Sequence, residues 1–165
     1  MSTKKYILSK EIAEKKLRRM ALEVVENNYN EQQLVLIGIK DNGLVIANKI
    51  AGYIKEIFKG TVEVIELSLD KKHPAAIELN SNADFSGKTI ILIDDVANSG
   101  KTALYALKPF LEQYPKKIQT LALVSRTHKA FPVAVDYVGL SLSTTLEEHI
   151  YVEVVKDEIL GAWVE

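Results

Sequence analysis

Thr89-Ile-Ile-Leu-Ile-Asp-Asp-Val-Ala-Asn-Ser-Gly-Lys-Thr102 decides the reading of this chain. Ile90 to Ile93 are apolar without a break, which suits a strand covered on both faces. Two adjacent carboxylates, Asp94 and Asp95, follow where such a strand ends. A run of small residues then leads into a helix. Each part suits a different piece of one ligand. Asp94 and Asp95 can accept hydrogen bonds from a sugar diol. The backbone amides from Asn98 to Thr102 can surround a phosphate, where the peptide dipoles favour an anion. A ribose 5-phosphate fills the arrangement from end to end.

Ser99-Gly100-Lys101-Thr102 also matches the end of a Walker A loop. That loop needs a glycine five residues before Gly100, and Asp95 stands there, a negative charge where a triphosphate would pass. An adjacent acid pair can otherwise serve only as a turn or helix cap. Acid pair, loop and helix start in direct succession argue for a site.

Outward from this stretch, strands alternate with helices. Ser9 caps a helix predicted over Lys10 to Asn28, with Ala13, Leu17, Met20, Ala21 and Val24 on one face. Leu34 to Ile37 is an apolar strand, and the loop Gly38 to Gly43 leads into a second helix. Its buried stripe is Ala47, Ile50, Ala51, Ile54, Ile57 and Phe58, and Gly60 ends it. Strands are expected at Thr61–Leu69, Ile118–Val124, Val133–Val138, Ile150–Val155 and Leu160–Val164, and Pro109 should shorten or kink the helix after the acid pair. The pattern predicts an α/β fold, an open and mostly parallel twisted sheet with helices on both faces. Ligands of such sheets bind beyond the carboxyl ends of the strands, where both loops, 38–43 and 94–102, lie.

The chain has 165 residues, enough for one domain spanning 1–165 that buries about two-thirds of its unfolded surface. Lys and Arg number 21 against 22 acids, so net charge points neither to nor away from nucleic acid. There is no cysteine, which excludes disulfides and thiolate metal sites. With no apolar signal core and no membrane-length run, a cytoplasmic protein is expected.

Ile90 to Thr102 closely resembles the thirteen-residue signature of type I phosphoribosyltransferases, which bind phosphoribosyl pyrophosphate (PRPP). Leu34 to Gly43, Leu121 to His128 and Asp136 to Gly139 extend the resemblance to the pyrimidine-operon attenuator/uracil phosphoribosyltransferases, over about Tyr6 to Val155. Hypoxanthine-guanine phosphoribosyltransferases share parts of the pattern more distantly. The resemblance implies a five-stranded parallel core, a small hood from the N-terminal few residues and about 140–165, a flexible lid at about 70–88, and a homodimer or larger assembly.

It also implies roles. Asp94 and Asp95 hold the ribose hydroxyls as the catalytic pair, and Ala97, Asn98, Ser99, Gly100, Lys101 and Thr102 hold the 5-phosphate. Lys40, Asp41, Asn42, Gly43 and Arg126 border pyrophosphate. Ser125, Tyr137 and Val138 border the base. Mg2+ is carried mainly by PRPP and water, with no direct protein ligand. Asp41-Asn42 stands where the attenuator pattern has Thr-Arg, so a phosphate-binding cation is missing there. Ser125 replaces both the lysine of the purine enzymes and the acid of the attenuator enzymes. Lys71, Lys72 and His73 of the lid segment can face pyrophosphate, although a solvated charge run is the more ordinary role of such lysines.

The expected activity is Mg-dependent transfer from PRPP to a nucleobase in nucleotide salvage and pyrimidine metabolism, uracil first and then hypoxanthine or guanine. The alternatives are an attenuator-like RNA-binding regulator, and a nucleotide sensor that keeps the phosphate loop without turnover. RNA would need a basic face. Lys4-Lys5, Lys15-Lys16 with Arg18-Arg19, and Lys116-Lys117 are the candidates.

Overall fold

A computed structural model describes residues 3–74 and 76–165. Met1 and Ser2 of the expected hood and Ala75 of the expected lid lie outside the described residues. The first strand, β1 (Lys5–Ser9), was not anticipated, because its partners lie at the other end of the sequence. Ser9 then caps α1 (Lys10–Asn28): its Oγ accepts the Ile12 N–H at 3.2 Å. The predicted stripe of α1 is buried in full.

Six strands form the main sheet: β2 (Gln33–Ile39), β3 (Thr61–Leu69), β4 (Ile77–Leu79), β5 (Thr89–Ala97), β6 (Lys117–Arg126) and β7 (Tyr137–Leu142). Their order is β4-β3-β2-β5-β6-β7. All pairs are parallel except the edge pair β3–β4, which leaves five parallel strands as expected. Period-two alternation sends Leu34, Leu36, Ile91, Ile93, Leu121 and Leu123 to one face, under α1 and α2 (Asn42–Ile57). Val35, Ile37, Ile39, Ile90 and Leu92 point to the other face. There they meet Phe85, Ala106 and Phe110, beneath α3 (Lys101–Ala106) and α4 (Lys108–Leu111). The Phe85 and Phe110 rings meet edge to face at 5.0 Å.

One expectation holds and three change in detail. Pro109 divides the helix after the signature into α3 and α4, since it cannot donate back along the helix. Ile57 is 47 % exposed, because α2 ends there and the chain turns extended at Phe58, whose ring takes the buried place. The strand expected at 133–138 begins instead at Tyr137. Asp136 accepts the Thr120 N–H at 2.8 Å, and the Thr120 hydroxyl donates to Ala134 O at 2.6 Å, so 134–136 is tied sideways to β6. Residues 140–142 therefore belong to the main sheet, not the hood.

The smaller sheet has the order β1-β9-β8, from β1, β8 (Ile150–Val155) and β9 (Glu158–Val164), all antiparallel. Its inner residues Leu8, Ile150, Val152, Ile159, Ala162 and Val164 join the α1–α2 core. Among the described residues no helix is long and apolar enough to cross a membrane.

The five parallel strands run 2-1-3-4-5 in their own order, so the connections diverge between β2 and β5. From β2 the chain leaves into α2 on one face, and from β5 into α3 on the other. A crevice opens at the carboxyl ends of such a strand pair. Both loops singled out by sequence meet there.

Candidate functional site

Asp94 and Asp95 lie in the last pairings of β5, which continues to Ala97, and neighbouring β2 delivers the loop Lys40–Asp41 beside them. α2 approaches very closely: a Cβ on Gly43 would stand 2.7 Å from Ile93 O and 3.2 Å from the Cα of Asp94. Only glycine lets the helix start against the acid pair. The Lys40–Asp41 peptide is cis.

The two carboxylates differ in environment. Asp94 is 9 % exposed. Burial first, and the Asp95 charge second, push its carboxyl up to about 7, against the pull of Lys71. Lys71 Nζ lies 3.2 and 3.4 Å from the two oxygens of Asp94 and 3.7 Å from Asp95 Oδ1. Burial lowers the Lys71 ammonium's own proton affinity, but Asp94 and Asp95 outweigh it and hold the pKa above the usual lysine value. Asp95 Oδ1 accepts the Val96 N–H at 2.7 Å. Its Oδ2 accepts from Asn42 Nδ2 at 3.0 Å, and the same amide nitrogen donates to Val152 O on β8 at 3.1 Å.

On one side of the pair, Ala97, Asn98, Ser99, Gly100, Lys101 and Thr102 line a narrow cavity of ≈ 70 Å³ with Asp94 and Lys71. Gly100 sits at φ 88, a left-handed conformation that favours glycine, and a Cβ there would press on Phe131 O at 3.1 Å. The loop is held from behind. Ser99 O accepts from Ala130 N at 2.9 Å and Phe131 N at 3.0 Å. Lys129 Nζ donates to Ala97 O at 3.2 Å, Ser125 Oγ at 3.1 Å and Arg126 O at 2.5 Å. Burial, and then Arg126, lower the Lys129 pKa. On the other side, Lys40, Asp41, Asn42, Asp70, Lys71, His73, Glu78 and Asp95 line a wider cleft of ≈ 730 Å³. Lys71 borders both spaces.

The expected site residues thus divide. Asp94, Asp95, 97–102 and 40–43 converge at one crevice. Ser125 is buried at the end of β6, under Lys129. Arg126 turns away toward the loop after β7 and donates to Thr145 O at 2.6 Å. Tyr137 is not brought to the site. It is 2 % exposed at the amino end of β7, and its hydroxyl bonds Gln119 at 2.8 Å and meets Asn28 Nδ2 at 3.3 Å. Val138 pairs with Ala122 in the same half of the strand, and its carbonyl accepts from Arg19. The residues of β7 beside Ser125 and Arg126 are Ser141 and Leu142.

Lys71 and Lys129 are the contributions that sequence reasoning undervalued or missed. Lys71 is no free surface charge: its side chain, 46 % exposed, closes on the acid pair. Lys129 sits on an irregular loop with no period or motif to mark it. Among the described residues no three His, Cys, Asp or Glu side chains converge as a metal cage.

Comparison with known proteins gives a consistent picture. Residues 4–156 match the phosphoribosyl transferase domain family. The chain is 34% identical over 157 residues to the bifunctional protein PyrR of Ligilactobacillus salivarius, covering 88% of this chain and 87% of that protein. It is 33% identical over 165 residues to the bifunctional protein PyrR of Bacillus mycoides, covering 93% and 92%. Among solved structures it resembles a hypoxanthine-guanine phosphoribosyltransferase from Bacillus anthracis, with TM-score 0.72, 19% identity and 86% and 84% of the two chains covered. A hypoxanthine phosphoribosyltransferase of Trypanosoma cruzi superposes with TM-score 0.74 at 14% identity, over 84% and 82%. These structural likenesses are likenesses of fold.

Proposed function

The chain belongs to the phosphoribosyltransferase family, whose members use PRPP, and from that premise we propose that it transfers the 5-phosphoribosyl group of PRPP to a nucleobase with release of pyrophosphate. Uracil leads as acceptor by the attenuator-like sequence pattern, followed by hypoxanthine and guanine. One observation carries the reading. The acid pair stands between a narrow cavity lined by residues 97–102 and a wide cleft lined by residues 40–42, a layout that suits 5-phosphate, ribose and pyrophosphate in that order.

In this reading, the amides and hydroxyls of 97–102 anchor the 5-phosphate, which supplies binding energy remote from the reacting bond. Asp94 and Asp95 accept from the ribose hydroxyls, and their charge favours the positive sugar ring that develops as the bond to pyrophosphate breaks. The base nitrogen attacks from the opposite face. Lys40, the backbone of 41–43 and Lys71, once displaced from the acids, meet the pyrophosphate charge.

Mg2+ fits this site only as PRPP's own companion. Asp41, Asp70, Glu78 and Asp95 offer oxygens around the cleft without converging. The ion would neutralise pyrophosphate while ligated mainly by PRPP and water. A cytoplasmic homodimer or larger homo-oligomer working in nucleotide salvage is the setting we propose.

Pyrophosphate release from PRPP and Mg2+, assayed separately with uracil, hypoxanthine, guanine, xanthine and adenine, tests the proposal. Release with one base, lost in Asp95→Asn, is the expected result. A folded protein that releases none with any base overturns it. The relatives' name, bifunctional, supports asking for a second role, and RNA is the partner the attenuator-like pattern suggests. The candidate basic residues are largely engaged, Lys15 with Glu11, Arg19 with Glu23, and Lys116 and Lys117 with Glu31. RNA retention on filters, falling steeply with salt, is the test of that role.

A further inference from the structure

Asn42 opens α2 directly after the Lys40–Asp41 loop proposed to meet pyrophosphate, yet its side chain is committed elsewhere. Its amide nitrogen has two hydrogens. One goes to Asp95 Oδ2 at 3.0 Å and the other to Val152 O at 3.1 Å. With both donors used, only the carbonyl oxygen of Asn42 remains, and a carbonyl oxygen does not attract an anion.

Asp95, in turn, is held at both oxygens, by Val96 N–H on Oδ1 and by Asn42 on Oδ2. Those two bonds fix the carboxylate plane, with Lys71 Nζ also 3.7 Å from Oδ1. A neutral donor has a particular advantage at this point. It steadies the carboxylate beside buried Asp94 without cancelling the charge that a developing sugar cation needs. An arginine there, as in the attenuator pattern, would add a competing positive charge. The second hydrogen ties the same carboxylate to β8, so the small sheet and the acid pair share one side chain.

We propose that Asn42 is a positioning residue for ribose, not a pyrophosphate ligand: it orients Asp95 and anchors it to β8 of the small sheet. The proposal rests on the phosphoribosyl-transfer reading.

Titration calorimetry with ribose 5-phosphate and, separately, with magnesium pyrophosphate tests it on wild type, Asn42→Ala, Asn42→Ser, Asp95→Ala and Asp95→Ala/Asn42→Ala. Circular dichroism monitors folding. In Asn42→Ala the ribose 5-phosphate affinity should fall about tenfold, as expected for a lost bond to a charged group. Pyrophosphate affinity should change less than twofold. Asn42→Ser, which keeps one donor, should recover part of the loss. In the Asp95→Ala background, Asn42→Ala should add nothing. Equal losses for both ligands, a loss confined to pyrophosphate, or an additive effect without Asp95 overturns the proposal. So does failure of both Asn42 variants to fold, which would make the residue a strut of the fold. Wild type that binds neither ligand overturns the transferase reading itself.

Discussion

Replacing Asp94 by Asn should make the protein more stable in mild alkali while destroying the proposed ribose site. The Asp94 carboxyl is raised from 3.8 to about 7, chiefly by burial and then by Asp95. A carboxyl with a raised folded pKa holds more protons folded than unfolded between those two values. Its contribution is therefore complete below pH 4 and is lost as pH climbs to 7. The span is roughly 3 pH units at about 1.4 kcal/mol each, or about 4 kcal/mol in all. Asparagine keeps the shape, can still accept the Asp95 N–H that Asp94 accepts at 2.9 Å, and carries no charge to bury. Urea unfolding at pH 5 and pH 8 samples about two-thirds of the span. The stability of Asp94→Asn relative to wild type should rise by about 3 kcal/mol between the two pH values. Parallel pH dependence in the two proteins would refute the assignment of a buried, proton-retaining carboxyl to Asp94.

Lys71→Met removes the cation that holds the Asp94 pKa down, so ribose 5-phosphate binding, followed by calorimetry against pH, should shift its midpoint above 7. Lys129→Met frees the 97–102 loop, the proposed phosphate anchor, from its rear tether to Ala97 O, and KM for PRPP should rise about tenfold, the cost of a hydrogen bond to a charged donor, with kcat nearly unchanged in steady-state assays. Gly43→Ala forces α2 away from Ile93 O and Asp94, and thermal unfolding should report about 1–3 kcal/mol of overpacking cost together with lost activity.

What sequence could reveal depended on how local the cause was. The bounds of α1 follow from Ser9 and one apolar stripe, and the main sheet from uninterrupted aliphatic runs. The acid pair and the 97–102 loop are contiguous, so the reading proposed for them could be made before any fold was known. β1 was missed because its partner β9 lies far away in the chain, and β4 because an edge strand of three residues is too short to show alternation. The start of β7 was misplaced for a similar reason, since Asp136 and Ala134 answer to Thr120. Tyr137 looked available beside a site-forming stretch, yet Gln119 and Asn28 draw it into the core. The second carboxylate's partner, Asn42, and the two lysines act across loops, where spacing carries no information.

The divergence of the chain between β2 and β5 has a mechanical consequence. Two apolar layers lie on opposite sides of one sheet, and each begins its helix at the crevice, α2 on one side and α3 on the other. A ligand bridging 40–43 and 97–102 is a cross-brace between layers that otherwise meet only through the strands. Binding should therefore slow hydrogen exchange at the first turns of both helices together, not just at the loop the ligand touches. The protein would feel its substrate as a rivet through its whole thickness, and tightness of binding would appear directly as resistance to unfolding.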